Sequence, residues 1–373
     1  MHESPQFQRP QPLGLSPPQR QLLSRVSRSF DLSIRLLPRA LQGPVSIGYL
    51  LARATDTVAD THTLPLAERQ HLLDLLSQTL NQDPPNVEMT RECARLTHHF
   101  AQQQTHPHER ALMLALPECW PLLQALSQDD RASVRVVLGH ITQGQALDMS
   151  RFGVGLQAIE TERALDDYTW LVAGCVGEFW TDLCIRHVPD FASLPNEEMM
   201  DLGRQYGMGL QRLNILRDSK EDLAGGRCYW PRETLNAAGL TPEMLAQAAQ
   251  TGNDDSLHQL APLYTAWLDQ THKQLAAGMR YAMALKPLRL RLASALPALI
   301  GAQTLALLRQ KGPGALTEHI KVSRRDLRGL FWQLAVGWGS PATLGQLFVK
   351  LSCLLYTSPS PRDLSTSRMP SSA

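Results

Sequence analysis

Tyr49-Leu-Leu-Ala-Arg53-Ala-Thr-Asp56-Thr-Val-Ala-Asp60 is the stretch on which the reading of this chain turns. Across residues 44–60 the only charges are these two aspartates and Arg53; every other side chain is apolar, small or hydroxyl-bearing. At about 100° per residue, Tyr49, Arg53, Asp56 and Asp60 fall within a narrow arc of one helical face. A helix this apolar belongs in a core, where carboxylates are costly unless something positive meets them. Arg53 can serve one aspartate comfortably but not both. A hard divalent cation, which prefers carboxylate oxygens, is the natural further partner.

A second stretch repeats the design: Gln211-Arg-Leu-Asn214-Ile-Leu-Arg217-Asp218-Ser-Lys-Glu221-Asp222. Gln211, Asn214, Asp218 and Asp222 share a face behind the apolar run 206–210, with Glu221 flanking it and Arg217 one step aside. Spacing alone does not mark a site. Acidic residues four apart also occur at Glu162/Asp166, Glu178/Asp182 and Glu197/Asp201, where a solvated helix face accounts for them. The apolar setting is what separates the two stripes from these. Two such stripes predict facing walls of one cavity, each carboxylate pair holding Mg²⁺ that keeps several waters and takes phosphate oxygens. Arg53 and Arg217 would clamp the phosphates through forked hydrogen bonds. No glycine-rich phosphate loop occurs. The chemistry implied is ionisation of an allylic diphosphate in a dry cavity, with the metal as Lewis acid.

Helical periodicity dominates the remainder, and alternating strand patterns are nearly absent. It predicts helices at 18–37, 40–61, 66–80, 90–104, 108–126, 128–151, 161–187, 196–223, 241–250, 257–285, 288–311, 321–337 and 341–352. Pro189 ends one of them and Gly225-Gly226 another. No repeat or composition shift divides the chain, so one all-α domain over 18–353 is expected. Residues 1–17 read as a flexible polar segment without the apolar core of a signal peptide, which predicts a cytoplasmic start. The Ser-, Pro- and Thr-rich residues 354–373 read as a non-native or disordered tail. Residues 327–356 are apolar in part, but Gly337, Gly339 and Pro341 interrupt them, so they read as core or as a surface that touches lipid.

Charge and residue chemistry narrow the function further. The 373 residues carry 36 Lys+Arg against 35 Asp+Glu, a net charge of +1 that argues against a nucleic-acid partner. Six scattered cysteines without a paired motif read as small buried residues in a reduced compartment. His98-His99 and His106-Pro-His108 lack metal-site spacing and read as surface histidines. Trp170, Phe179 and Trp180 read as core. Gln143, Gln145 and Asp148 lie among small residues, in a setting that ordinary helix packing explains as well as the cavity-facing place that the family resemblance given below implies.

From about Ser24 to about Leu330 the chain resembles the squalene/phytoene synthase family. The motifs that carry the likeness appear in order: Ser27-Arg28-Ser29-Phe30, then the Tyr49 to Asp60 stretch, then Asp167-Tyr168-Thr-Trp170-Leu-Val172-Ala173-Gly174-Cys-Val-Gly177. The last runs from Gln211 through Asp222 into Gly225-Gly226-Arg227-Cys228-Tyr229-Trp230-Pro231. The resemblance implies a single-domain isoprenoid-synthase helical bundle around a central cavity. It implies Mg²⁺ on Asp56, Asp60, Asp218 and Asp222 with support from Glu221. Arg28, Ser29, Arg53, Asn214 and Arg217 would contact diphosphate. Phe30, Tyr49, Val172, Ala173, Gly174 and Gln211 would line the prenyl pocket. Tyr168 takes the place of a tyrosine that handles a proton or steers a cation. One departure is Ala59, where many squalene synthases carry an extra acid.

The implied reaction joins two farnesyl diphosphates through presqualene diphosphate. Family members then diverge, some reducing the cation with NADPH to squalene, others deprotonating it to dehydrosqualene or phytoene, others adding water. The Gly225 to Pro231 motif resembles the squalene branch. No NADPH site is legible; Lys321-Val-Ser-Arg324-Arg325 is basic, yet a solvated helix start describes it better. A non-catalytic binding protein on the same fold would be expected to lose aspartates or arginines that all survive here. An oil-like product makes peripheral contact with the membrane a further expectation.

Overall fold

The computed structural model describes residues 34, 36–61, 63–252, 254–336 and 339–352. Arg28, Ser29 and Phe30, with the segments 1–17 and 354–373, lie outside the described residues. The first half is a succession of helices: α1 (Arg39–Asp60), α2 (Leu66–Leu80), α3 (Val87–Gln103), α4 (Pro107–Gln124) and α5 (Gln128–Arg151). Their starts follow local chemistry. The Asn86 side chain accepts from the amides of Glu88 and Met89, the Ser127 hydroxyl accepts from Asp130 N–H, and Pro107 fills a first-turn position that needs no donor.

The segment predicted as one helix over 161–187 is interrupted. α6 (Glu162–Thr169) passes into a π-helical turn (Trp170–Gly174) before α7 (Cys175–His187). A π turn inserts one residue into an otherwise helical ladder, so the apolar periodicity that predicts a helix runs through it unchanged. The longer helix α8 (Asn196–Ala224) follows, then the short α9 (Arg232–Ala237), α10 (Pro242–Thr251), α11 (Asp254–Ala284) and α12 (Leu288–Lys311). A 3₁₀ turn (Gly312–Thr317) leads to α13 (Arg324–Val336) and α14 (Pro341–Ser352). The sequence reading also missed a two-residue parallel pair, β1 (Gln157–Ala158) against β2 (Arg227–Cys228), with Gln157 opposite Arg227. It ties the loop after α5 to the loop after α8. Gly226 makes this turn with φ +81°, and a Cβ there would lie 2.7 Å from the carbonyl of Gly155.

Two apolar cores flank α8. One gathers Ile47, Leu50, Leu51, Ala54 and Val58 of α1 with Leu72 and Leu76 of α2, Leu112 of α4 and Leu138 of α5. The other gathers Leu213 and Leu216 of α8 with Leu260, Tyr264 and Trp267 of α11 and Leu296 and Leu299 of α12. Each fully buried leucine contributes about 1.5–3 kcal/mol to folding. α12 with its 3₁₀ extension is long and apolar enough to cross a membrane, but most of it is buried in the second core. The described cysteines Cys93, Cys119, Cys175, Cys184 and Cys228 are buried and unpaired, and His98, His99, His106 and His108 are exposed, as their spacing implied.

α8 crosses α7 and the π turn backbone to backbone. A Cβ on Gly177 would lie 1.8 Å from the carbonyl oxygen of Gly203, and one on Gly207 would lie 2.1 Å from that of Ala173. Gly177→Ala therefore forces two helix backbones apart. We expect a loss of about 3 kcal/mol, the upper end of ordinary overpacking. Thermal unfolding should show it as a midpoint lower by roughly 4 °C; an unchanged midpoint would show that the crossing is not tight.

Candidate active site

Within residues 43–60 of α1, the positions that are not fully buried are Tyr49, Ala52, Arg53, Asp56, Ala59 and Asp60. They form a single helical stripe, the one read from the sequence. Arg53 contacts Asp56 through Nη1 and donates from Nη2 to Glu109 Oε1 of α4 at 2.9 Å. The Asp56 side chain keeps 41% of its surface reachable by water, yet burial is the largest influence on its acidity. Burial, reinforced by the charge of Asp60, pushes the Asp56 carboxyl up to about 6 against the pull of Arg53.

The α8 stripe carries its own arginines. Arg217 grips both oxygens of Asp218, with Nε at 2.7 Å and Nη2 at 2.5 Å. Asp222, 13% exposed, accepts at Oδ1 from Arg227 Nε (3.1 Å) and Nη2 (2.8 Å). Burial pushes Asp222 up to about 6; Arg227 opposes the shift, while Asp218 and Asp60 add to it. Asp60 of α1 thus acts on Asp222 of α8, and the two stripes face one another. Tyr168 of α6 lies between them: burial raises its hydroxyl well above the phenol range, and the charges of Asp148, Asp222 and Asp56 add to the rise.

The other expected residues have these places. Tyr49 lies on the α1 stripe. Val172 and Ala173 of the π turn are partly accessible, and Gly174 is buried. Asn214 Nδ2 donates to Gln211 Oε1 at 3.5 Å on the α8 stripe. Glu221 turns toward His319, whose Nδ1 lies 3.1 Å from Glu221 Oε1, so it reaches the site through its charge on Arg217.

Sequence reasoning assigned no role to Glu109, Arg69, Arg227, Tyr229 and Asp148, all of which meet the site. Arg69 of α2 is buried and donates to the carbonyl of Ala59 at 2.6 Å, closing the end of α1 beside Asp60. Arg227 and Tyr229 stood inside a quoted motif without an assignment; Arg227 meets Asp222 five residues before it, while the partners of Tyr229 lie on α5 and α6. The Tyr229 ring stacks on Tyr168 at 5.4 Å, and its hydroxyl donates to Asp148 Oδ2 at 2.7 Å. The acidic pairs set aside at the sequence level do serve structure. Glu162 and Asp166 face Arg212, Asp182 pairs with Arg186, and Asp201 contacts Arg204.

The donor chemistry fits a hard divalent cation. Both stripes offer carboxylate oxygens, three of these side chains being held by arginines. Among the described residues no three acidic, His or Cys side chains already converge as a ligand set.

Comparison with known proteins gives the family and the fold. The family model described as squalene/phytoene synthase matches residues 23–326. The squalene synthase of Eremothecium gossypii is 30% identical over 215 residues, covering 57% of this chain and 45% of that protein. The Saccharomyces cerevisiae squalene synthase is 28% identical over 220 residues, with the same coverages of 57% and 45%. This chain therefore spans less than half the length of either relative. Among solved structures, TcSQS in complex with a ligand superposes with TM-score 0.70 at 20% identity, covering 89% of this chain and 88% of that one. Squalene synthase HpnC from Alicyclobacillus acidocaldarius gives 0.52 at 22% identity, covering 79% and 94%. A dehydrosqualene synthase with ligand gives 0.55 at 20% identity, covering 86% and 94%. These structural likenesses establish the helical isoprenoid-synthase fold.

The raised acids give the metal-free chain a signature. A carboxyl that moves from 3.8 in the unfolded chain to about 6 in the folded one binds more protons when folded. Stability from Asp56 and Asp222 is then lost as pH rises from about 4 through 6. Asp56→Asn should raise the metal-free melting temperature at pH 8, with the gain shrinking toward pH 5. A variant that melts lower than wild type at pH 8 would show that Arg53 outweighs burial and Asp60.

Proposed function

Because the chain belongs to the squalene/phytoene synthase family, we propose that it condenses two farnesyl diphosphates head to head through presqualene diphosphate and reduces the product to squalene. The observation that carries this reading is that Asp60 of α1 acts on Asp222 of α8 while Asp56 and Asp222, one from each stripe, both act on Tyr168. Asp56 and Asp60 on one wall and Asp218 and Asp222 on the other would hold Mg²⁺, with Glu221 adding charge from the flank. Bound there, Mg²⁺ neutralises the departing diphosphate as a Lewis acid.

Arg53 and Arg217 already grip aspartates, and the same forked donors can pass to phosphate oxygens when those carboxylates turn to a cation. Asn214 supplies a neutral donor beside them, and Arg28 and Ser29 belong to the same proposed diphosphate set. Phe30, Tyr49, Val172, Ala173, Gly174 and Gln211 are assigned to the prenyl pocket. Exclusion of water by these apolar walls protects a carbocation from capture. The face of the Tyr168 ring can stabilise that cation.

The choice of squalene rests on the names of the relatives and on the Gly225 to Pro231 motif. Gly226 has a conformational reason of its own, so this glycine alone does not select a product. NADPH would supply hydride to the rearranged cation; no described residues are assigned to hold it. Dehydrosqualene, hydroxysqualene or phytoene synthesis is the second reading, sharing the same first half-reaction. We place the enzyme in the cytoplasm, at the cytoplasmic membrane face, because its product partitions into lipid.

Purified protein with farnesyl diphosphate and Mg²⁺, assayed with and without NADPH, separates the readings. Squalene formed only with NADPH is the expected outcome; dehydrosqualene under both conditions would replace it. Asp60→Ala and Asp218→Ala should each abolish turnover while the circular dichroism stays helical, and full activity in either would remove the metal assignment. Tyr168→Phe should lower kcat by about 10²-fold or more; a near-normal rate would take Tyr168 out of the reaction.

A further inference from the structure

Two tyrosines and one aspartate, drawn from three separate segments, form a continuous hydrogen-bonded line. Tyr168 ends α6, Tyr229 follows β2, and Asp148 lies in the last turn of α5. Tyr229 donates to Asp148 Oδ2 at 2.7 Å, and the two tyrosine hydroxyls lie 3.4 Å apart. Tyr229 has one proton and gives it to the carboxylate, so the link between the hydroxyls runs from Tyr168 as donor to Tyr229 as acceptor. The line is therefore polarised in one direction. Asp148 Oδ1 is buried and has no hydrogen-bond partner, an open position for a proton. The rings are held in place as well: Tyr229 stacks on Tyr168, Phe152 meets Tyr229 edge-on at 5.1 Å, and the β1–β2 pair anchors the backbone one residue away.

We propose that Tyr168, Tyr229 and Asp148 form a proton relay that removes the proton released when the two prenyl chains join, with Asp148 as its final acceptor. The inference rests on the condensation proposed above. In that condensation, closure of the cyclopropane forms two C–C bonds to one carbon of the ionised partner. The C–O bond to the departing diphosphate breaks, and so does one C–H bond, whose electron pair closes the ring. One diphosphate and one proton leave, and no oxidant or reductant is required. The proton passes to the Tyr168 oxygen, Tyr168 passes its own to Tyr229, and Tyr229 passes its own to Asp148.

The acidities of the groups explain why the line must end on Asp148. Burial raises both phenols well above their ordinary range, so neither can store the negative charge. Burial also pushes the Asp148 carboxyl up to about 7, where a carboxylate present at neutral pH accepts a proton readily. Arg227 from β2 and Arg151 on α5 favour its charged form, as does the Tyr229 hydrogen bond, while Asp222 of α8 opposes it.

Asp148→Asn, Asp148→Glu and Tyr229→Phe in the full chain test the relay. Steady-state coupling of farnesyl diphosphate with Mg²⁺ should show kcat down about 10²-fold in Asp148→Asn, with KM within about twofold. Wild-type kcat should fall as pH drops through about 7, when Asp148 becomes protonated. Asp148→Asn should lack that acid limb, and Asp148→Glu should restore part of the rate. A structural readout is independent of turnover: infrared difference spectra should show a protonated carboxyl band that titrates near 7, vanishes in Asp148→Asn and shifts in Tyr229→Phe. Asp148→Asn with kcat within twofold of wild type and its acid limb intact would overturn the relay, as would a wild-type chain without the band. A wild-type chain that shows the band yet joins no farnesyl diphosphate would overturn the condensation and the proton assigned to it, while the hydrogen-bonded line itself would stand.

Discussion

Negative charge facing negative charge across a gap is the constraint around which this molecule is arranged. Asp60 raises the cost of ionising Asp56, and Asp218 and Asp60 raise that of Asp222, in a partly buried setting. A fold that only sought stability would not keep them. Arginines hold the tension in check: Arg53 on Asp56, Arg217 on Asp218, Arg227 on Asp222, and Arg69 beside Asp60. On the proposed reading, these pairs are alternatives to the cation-bound arrangement as well as supports for it. When a cation and a diphosphate enter, the carboxylates and guanidiniums can exchange partners without either charge being left uncompensated.

The scaffold makes this tolerable by dividing its labour. The two apolar cores carry the stability, and α8 runs between them with one face given to the carboxylate stripe. Its glycine contacts with α7 and the π turn bring Val172, Ala173 and Gly174 within backbone distance of the helix that bears Asp218 and Asp222. A π turn at this position fits a general pattern, since such turns re-aim side chains at functional sites.

Much of this was legible in the sequence. The helices follow from apolar periodicity and from Pro and Gly punctuation, and the prediction over 66–80, 128–151, 288–311 and 341–352 coincides with α2, α5, α12 and α14. The two stripes were legible because carboxylates in an apolar helix need an explanation, whereas Glu162/Asp166 do not. What sequence could not show was partnership over long separations. Glu109 and Asp148 gain their meaning from segments tens of residues away, and nothing in local spacing marks an acid that will meet an arginine or a tyrosine from another element. The β1–β2 pair escaped for the same reason: two residues carry no period. The short helix α9 and the 3₁₀ turn are likewise too brief to register as patterns.

The two-residue ladder has a consequence for how this chain can change over time. It fastens the loop after α5 to the loop after α8 through the close contact of Gly155 with Gly226. Arg227 and Tyr229 take their positions from that fastening, although it contains no chemistry itself. Lengthening or shortening either loop would drag both side chains off their targets, so the two loops are bound to drift in concert. Among descendants of this sequence, insertions there should be rare, and substitutions at 155 and 226 should occur as matched changes rather than singly.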